Sequence, residues 1–196
     1  MIRVRAVLAV TGLALGATSL TAQERGVIFR IQGGGYSHTT NLNTSTPYAH
    51  FKLGFSLGSG LGVQLNKYLA VQGDFAFGRT KGLGDVDFIG DGVNRYYLGG
   101  RLDLRYPLSQ SFVPYVFGGA GKLWVDQQGV ELEENFQHFN RFAGVFGAGL
   151  SFRFPNSKLS LLAEGRALTY KWVAEPFNRN QLDLIYNVGL GYRFGF

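Results

Sequence analysis

The residues that could carry covalent chemistry are few. The 196-residue chain has no Cys and only three His, at positions 38, 50 and 138. Without Cys there is no thiolate nucleophile, no thiolate zinc site, no disulfide framework and no Cys-linked lipid anchor. Ser37 and His38 are neighbours in sequence, and in a strand neighbouring side chains point to opposite faces, so a shared site is not expected. Asp85, Asp87 and Asp91, with Gly90 and Gly92, have some of the oxygen ligands of a calcium loop. Ile89 and Tyr96 stand where such a loop needs a further ligand and a Glu, so a solvated loop is expected. The glycine clusters Gly33–Gly35 and Gly118–Gly121 open no helix and are not phosphate loops. No catalytic residue, metal or cofactor is expected.

What the chain does have is charge placed at alternate positions in otherwise apolar segments. Arg30, Lys52, Arg101, Arg105, Lys122, Arg153, Arg166 and Arg193 share this placement with Asp74, Asp103, Glu164 and Asp183. If one face of a sheet is sequestered from water, these groups must pair with one another or keep water, because an isolated buried charge is prohibitive. A charge network of Asp74, Arg101, Asp103, Arg105, Glu164, Arg166, Asp183 and Arg193 is expected, centred on Arg101, Asp103, Arg105, Glu164 and Arg166.

The elements that would hold this network follow from the hydrophobic period. Charged residues make up 16% of the chain, below the usual ~25%, while aromatics make up 15%, too many for a disordered chain. The 29 Gly show no G-X-Y repeat, which excludes collagen. Arg3 and Arg5 precede an uncharged run, Ala6–Ala22, ending in small residues: the pattern of a secretory signal peptide cut after Ala22. The expected organisation is a cleaved signal over residues 1–22 and one domain over residues 23–196. No later stretch is apolar for long enough to make a membrane helix.

The period from there on is two. Leu182, Leu184, Tyr186, Val188, Leu190, Tyr192, Phe194 and Phe196 alternate with Asp183, Ile185, Asn187, Gly189, Gly191, Arg193 and Gly195. The same alternation runs through His50–Leu65, Leu69–Phe77, Tyr96–Tyr106, Phe142–Phe154 and Leu159–Ala167. Two segments, Val27–His38 and Phe112–Val125, show it weakly, and Pro114 must lie near a strand end. Eight strands result, joined by long connections (Thr39–Ala49, Arg79–Asn94, Asp126–Asn140, Lys171–Gln181) alternating with short ones (Asn66–Tyr68, Pro107–Ser111, Pro155–Lys158). All long connections therefore fall at one end, with both chain termini at the other.

A soluble β-sandwich or a lipocalin-like barrel would also alternate. Here the polar parity is rich in Gly, Ala and Ser, as a narrow interior requires, and the apolar parity carries large aromatics near both strand ends, as membrane-interface girdles do. A sheet in lipid must close so that every backbone group is paired. The expected fold is all-β, an eight-stranded antiparallel up-and-down transmembrane β-barrel.

The C-terminal run Val188, Leu190, Tyr192, Phe194, Phe196 resembles the signal read by the outer-membrane assembly machinery, with Tyr192, Phe194 and Phe196 as its core. PYVFGGAG at Pro114–Gly121, GVFGAGLSFRF at Gly144–Phe154 and AEGR at Ala163–Arg166 resemble successive strands of the small eight-stranded outer-membrane barrels, the OmpX/OmpA-like transmembrane domain of the porin-like families. The resemblance covers essentially the whole chain after residue 22 and implies a bacterial outer-membrane location with termini and short turns in the periplasm. It implies outer-membrane lipid, lipopolysaccharide and the assembly machinery as partners, and a monomer.

An eight-stranded barrel is just wide enough to be filled by its own side chains. The expected function is therefore structural, or surface interaction through the long loops with an extracellular ligand. An alternative is a narrow gated ion path, biased to anions by the excess of inward cations. Some small outer-membrane barrels modify lipid A with a His–Ser pair at the outer rim. Here His138 lies in QHFNRF, with Phe139 and Asn140 in place of the nucleophile and its neighbour, so the chain is not expected to be an enzyme. The sequence pI near 9.7 does not indicate nucleic acid, because much of the basic charge lies on the inward parity. Arg79, Lys81 and Lys171 are better placed to meet lipid phosphate groups.

Overall fold

The structure is a computed structural model that describes residues 25–39, 50–51, 53–83, 92–128, 138–174 and 177–195. Among the described residues there are ten strands: β1 (Gly26–His38), β2 (His50–Phe51), β3 (Gly54–Gln64), β4 (Leu69–Thr80), β5 (Gly82–Leu83), β6 (Gly92–Arg105), β7 (Phe112–Gln128), β8 (His138–Arg153), β9 (Leu159–Ala174) and β10 (Phe177–Gly195). Eight of them close into one antiparallel barrel in the order β1-β10-β9-β8-β7-β6-β4-β3. β1 pairs with β10 on one side (Arg30 opposite Gly191) and with β3 on the other (Arg30 opposite Gly60), so the sheet has no edge. β2 and β5 make a separate two-stranded ladder, His50 opposite Leu83.

Each short connection carries its own turn chemistry. Phe154 O accepts from Ser157 N at 3.2 Å, Pro155 fills the position with fixed φ, and Asn156 takes φ 58°. That is a type II turn with Pro and Asn where each is favoured. Asn66 Oδ1 accepts from Tyr68 N at 2.8 Å, and Ser109 Oγ accepts from Phe112 N at 3.0 Å.

The faces are inverted relative to a soluble protein. Phe146 is 52% exposed on the outer wall and Arg101 is 3% exposed inside. Leu57, Leu98, Leu104, Val188 and Leu190 join Phe146 on the outer wall. Aromatic residues gather at both rims: Phe55, Phe77 and Tyr96 stack toward the long-connection end, while Phe152–Phe154 and Tyr192–Phe194 pack edge-on toward the short turns. Tyr96 and Tyr106 lie ten residues apart. At ~3.3 Å per residue and a tilt of ~40°, that is a rise of ~25 Å, the height of the apolar band of such barrels. Among the described residues no helix is long and apolar enough to cross a membrane.

The interior is packed rather than hollow. Tyr36, Tyr97, Tyr115, Phe117, Phe139 and Tyr170 point inward together with Leu123, Val125, Val145 and Ile185. Glycine supplies the room they need: a methyl group at Gly149 would lie 2.5 Å from the Tyr115 ring, and one at Gly78 would overlap the Tyr36 ring.

Three expectations are corrected by the structure. The connection read at Lys171–Gln181 is mostly strand, because β9 and β10 stay paired out to Ala174 opposite Phe177. The strand read as starting at His50 is broken, and the barrel strand begins only at Gly54. Lys122 is outside the barrel, not in it: Leu123 and Val125 are buried inward and fix the parity of β7, which places Lys122 on the lipid face with its ammonium 5.4 Å from the Trp124 ring. Lys52, the Asp85–Asp91 cluster, residues 1–22 and Phe196 lie outside the described residues.

Candidate functional site in the barrel lumen

The inward parity of β1, β4, β6 and β9 brings three guanidinium groups and three carboxylates together at mid-height. Glu164 on β9 is the hub. It accepts from Arg30 Nη1 at 3.0 Å, from Arg166 Nε at 3.0 Å and Nη2 at 2.5 Å, and from Tyr115 OH at 3.0 Å. Arg101 Nη2 lies 2.9 Å from the same carboxylate. Asp74 on β4 receives Arg166 Nη1 at 2.7 Å and Arg30 Nη2 at 3.1 Å. Asp103 on β6 lies 2.8 Å from Arg101 Nε and accepts from Gln72 Nε2. The Arg101 guanidinium also sits 3.9 Å from the centre of the Phe117 ring. Arg30, Arg101 and Arg166 thus face Asp74, Asp103 and Glu164 with equal and opposite formal charge, all six buried.

A second cluster lies nearer the long-connection end. Asp183 on β10 accepts from Tyr36 OH, from His38 and, at 3.0 Å, from Tyr170 OH. Arg95 Nε lies 3.6 Å from Asp183, and Arg95 Nη1 donates to Thr80 Oγ1 at 2.9 Å. Buried carboxylates are stable only when their lone pairs are filled in this way.

The eight expected network residues therefore divide. Asp74, Arg101, Asp103, Glu164 and Arg166 are in mutual contact. Asp183 belongs to the second cluster. Arg105 and Arg193 line a cavity with Arg153 at the short-turn mouth. Sequence reasoning missed Tyr36, His38, Arg95, Tyr115 and Tyr170. Tyr36 and His38 share parity with Arg30, and Arg95 shares parity with Arg101; carrying each alternation on to the end of its strand would have found these three.

Among the described residues the remaining chemistry-bearing groups are dispersed. His138 is exposed near the long connections, 3.0 Å from Asp126. No group of three or more His, Asp and Glu capable of holding a metal occurs among the described residues.

A family model described as the outer membrane protein beta-barrel domain matches residues 6–194. No curated protein matches the chain in sequence. Among solved structures, Neisserial surface protein A is 14% identical with a TM-score of 0.64, covering 88% of this chain and 100% of that one. Ail, the attachment invasion locus protein of Yersinia pestis, is 18% identical with a TM-score of 0.50, covering 89% and 100%. OprG from Pseudomonas aeruginosa is 15% identical with a TM-score of 0.50, covering 89% and 99%. At these identities the likeness is one of fold. The closed eight-stranded sheet, its apolar exterior and the family match over nearly the whole chain agree: this chain belongs to the outer membrane protein beta-barrel domain family and is a bacterial outer-membrane protein.

Proposed function

We propose that the protein is a lumen-filled barrel that anchors in outer-membrane lipid and presents its long connections outside the cell, for a structural role or for contact with an extracellular ligand. The observation that carries this reading is the ion pair Arg166–Asp74 at 2.7 Å. β9 and β4 stand four strands apart in a ring of eight, so the pair crosses the full width of the lumen. Arg95 and Asp183, on β6 and β10, span the same width at the next level. Two such crossings, packed with aromatic rings, leave the lumen as a plug. Fold likeness to a protein named for attachment and invasion fits the surface-contact role.

On this reading the signal over residues 1–22 is removed at export, Tyr192, Phe194 and Phe196 are read by the assembly machinery, and the folded product is monomeric. Arg79, Lys81 and Lys171 meet lipopolysaccharide phosphates at the outer rim. Single-channel recording in planar bilayers tests the plug: no conductance steps are expected. Deletion of residues 129–137 should abolish ligand or cell adhesion while leaving the barrel folded.

A second reading, a gated anion path, is favoured by the arginines at the short-turn mouth. It requires the balanced mid-lumen pairs to exchange partners. Anion-selective steps that grow on Asp74→Asn substitution would favour it over the plug. A lipid A-modifying activity has no supporting geometry among the described residues, and lipid A mass spectrometry with and without expression should show unchanged acyl chains.

A further inference from the structure

On the reading that the long-connection end faces outside the cell, on which this inference rests, we propose that Lys122 and Lys171 clamp the phosphomonoester of an outer-leaflet glycolipid whose acyl chain lies in a trough beside them. Lys122 on β7 is opposite Phe142 on β8. β8 and β9 pair as far as Ala143 opposite Tyr170, so Lys171 is the next residue of β9 and flanks Phe142 from the other side. All three are exposed on the outer wall, Phe142 at 77%. The two lysines stand two strand spacings apart, about 10 Å, with the Phe142 ring between them. Their long stems let both ammonium groups reach one anion above that ring.

From Lys122 toward the short-turn end, the outward line of β7 is small. Ala120 comes first, then Gly118, whose missing Cβ has nothing within 4 Å. Gly100 and Gly144 stand on either side of Ala120, and Leu102 and Phe146 on either side of Gly118. The result is a trough that starts at Lys122 and enters the apolar band between Leu102 and Phe146. Cations at its head and an apolar floor beyond them have the outline of a membrane lipid. In the other direction along β7 lies the Trp124 ring, opposite Asn140, while Asn180 is opposite Lys171. These three are exposed too, and a ring face with two amides suits sugar hydroxyl groups. Neither lysine is in an ion pair among the described residues, and Asp126, the next acid along β7, is engaged by His138 at 3.0 Å. A phosphomonoester carries about −1.5 to −2 charge at pH 7, which two ammonium groups match, whereas a phosphodiester carries a single charge. The pair therefore favours a glycolipid phosphate over the diester of phosphatidylglycerol.

The test uses the full mature barrel in maltoside micelles, with bound lipid counted by native mass spectrometry and folding checked by heat-modifiable migration. The natural protein should retain diphosphoryl lipid A and bind phosphatidylglycerol about tenfold more weakly or less. Lys122→Gln and Lys171→Gln should each weaken lipid A binding about tenfold, the loss of one charge-assisted contact, while Lys122→Arg keeps most of it. Lys158→Gln, on the turn at the opposite end, should change nothing. Gly118→Leu fills the trough where there is open space, so it should weaken lipid A binding with both lysines in place, and it decides the matter even if a lysine variant fails to fold. Unchanged lipid A affinity in the folded lysine and glycine variants, or equal binding of phosphatidylglycerol, would overturn the clamp. Loss of lipid A binding on Arg79→Gln alone would then leave the wider reading of a lipopolysaccharide contact standing, whereas no lipid A on the natural protein would remove both.

Discussion

Arg166 and Asp74 approach to 2.7 Å although their strands stand on opposite sides of the barrel. A closed sheet of eight strands is narrow enough for two side chains to meet across it, and in this chain the two that meet carry opposite charge. The contact couples the halves of the sheet more directly than any backbone ladder, since each ladder joins only neighbours.

Removing one member of this pair should be costly. Asp74→Ala leaves Arg166 and Arg30 with only Glu164 to share, and breaking a buried pair in this way costs about 3–5 kcal/mol. The double variant Asp74→Leu, Arg166→Leu should cost less than Asp74→Ala alone, because it leaves less uncompensated charge. Urea unfolding in micelles, run as a double-mutant cycle, measures both. Equal stability of Asp74→Ala and the natural protein would show that the pair carries no energy.

The glycines of the inward face make a second, steric prediction. Gly78→Val puts carbon where the Tyr36 ring lies and should destabilise by about 1–3 kcal/mol through overpacking. Gly118 faces outward with nothing near its missing Cβ, so Gly118→Ala should change stability by less than about 0.5 kcal/mol. The same unfolding titration distinguishes them, and equal effects at the two positions would contradict a packed lumen.

The outer face should be sensitive to charge according to depth. Phe146→Arg, placed on the apolar wall, should cost about 2–4 kcal/mol in a bilayer. Lys122 already carries charge on that wall, with its ammonium against Trp124. Its long stem lets the charge reach the interface, so Lys122→Leu should shift stability by no more than about 1 kcal/mol. Equilibrium refolding into lipid vesicles checks both, and a neutral Phe146→Arg would place that residue away from hydrocarbon.

The C-terminal strand carries a cellular prediction. Phe194 is on the outer wall, 4.6 Å from Tyr192 between ring centres. If these aromatics are read during assembly, Tyr192→Ser with Phe194→Ser should lower the folded, heat-modifiable band in outer membranes several-fold more than it lowers refolding into vesicles in vitro. Equal losses in both settings would make their role one of stability alone.

Most of the barrel can be read from alternation because one wall meets lipid and the other a polar interior, so Leu182 to Tyr192 changes character at each step except at Ile185, and Phe55 to Val63 at each step except at Ser59. β7 is opaque for the opposite reason. Its inward side holds Val113, Tyr115, Phe117, Leu123 and Val125, its outward side Val116, Gly118, Ala120 and Trp124, and with both sides apolar the period disappears. Lys122 then looks inward by analogy with the arginines, when only the burial of its neighbours decides the matter. Glu164, Arg166, Arg101 and Asp103 are legible as a group because each pair sits two apart on one strand. The Asp183 cluster is not, because His38 and Tyr36 reach it only where β1 meets β10, closing the barrel across 145 residues of chain. The connection at Lys171–Gln181 looks long because polar residues interrupt the apolar period there, while its backbone continues to pair.

The inversion of inside and outside can be measured without altering a residue. In lipid nanodiscs, nuclear Overhauser contacts from acyl-chain methylenes should reach the rings and methyls of Phe146, Leu98 and Val188, and should be absent from Tyr115 and Leu123. Acyl contacts to Tyr115 or Leu123, with Phe146 in contact with water instead, would contradict a barrel that turns its apolar wall to lipid and holds its arginines and carboxylates along the axis.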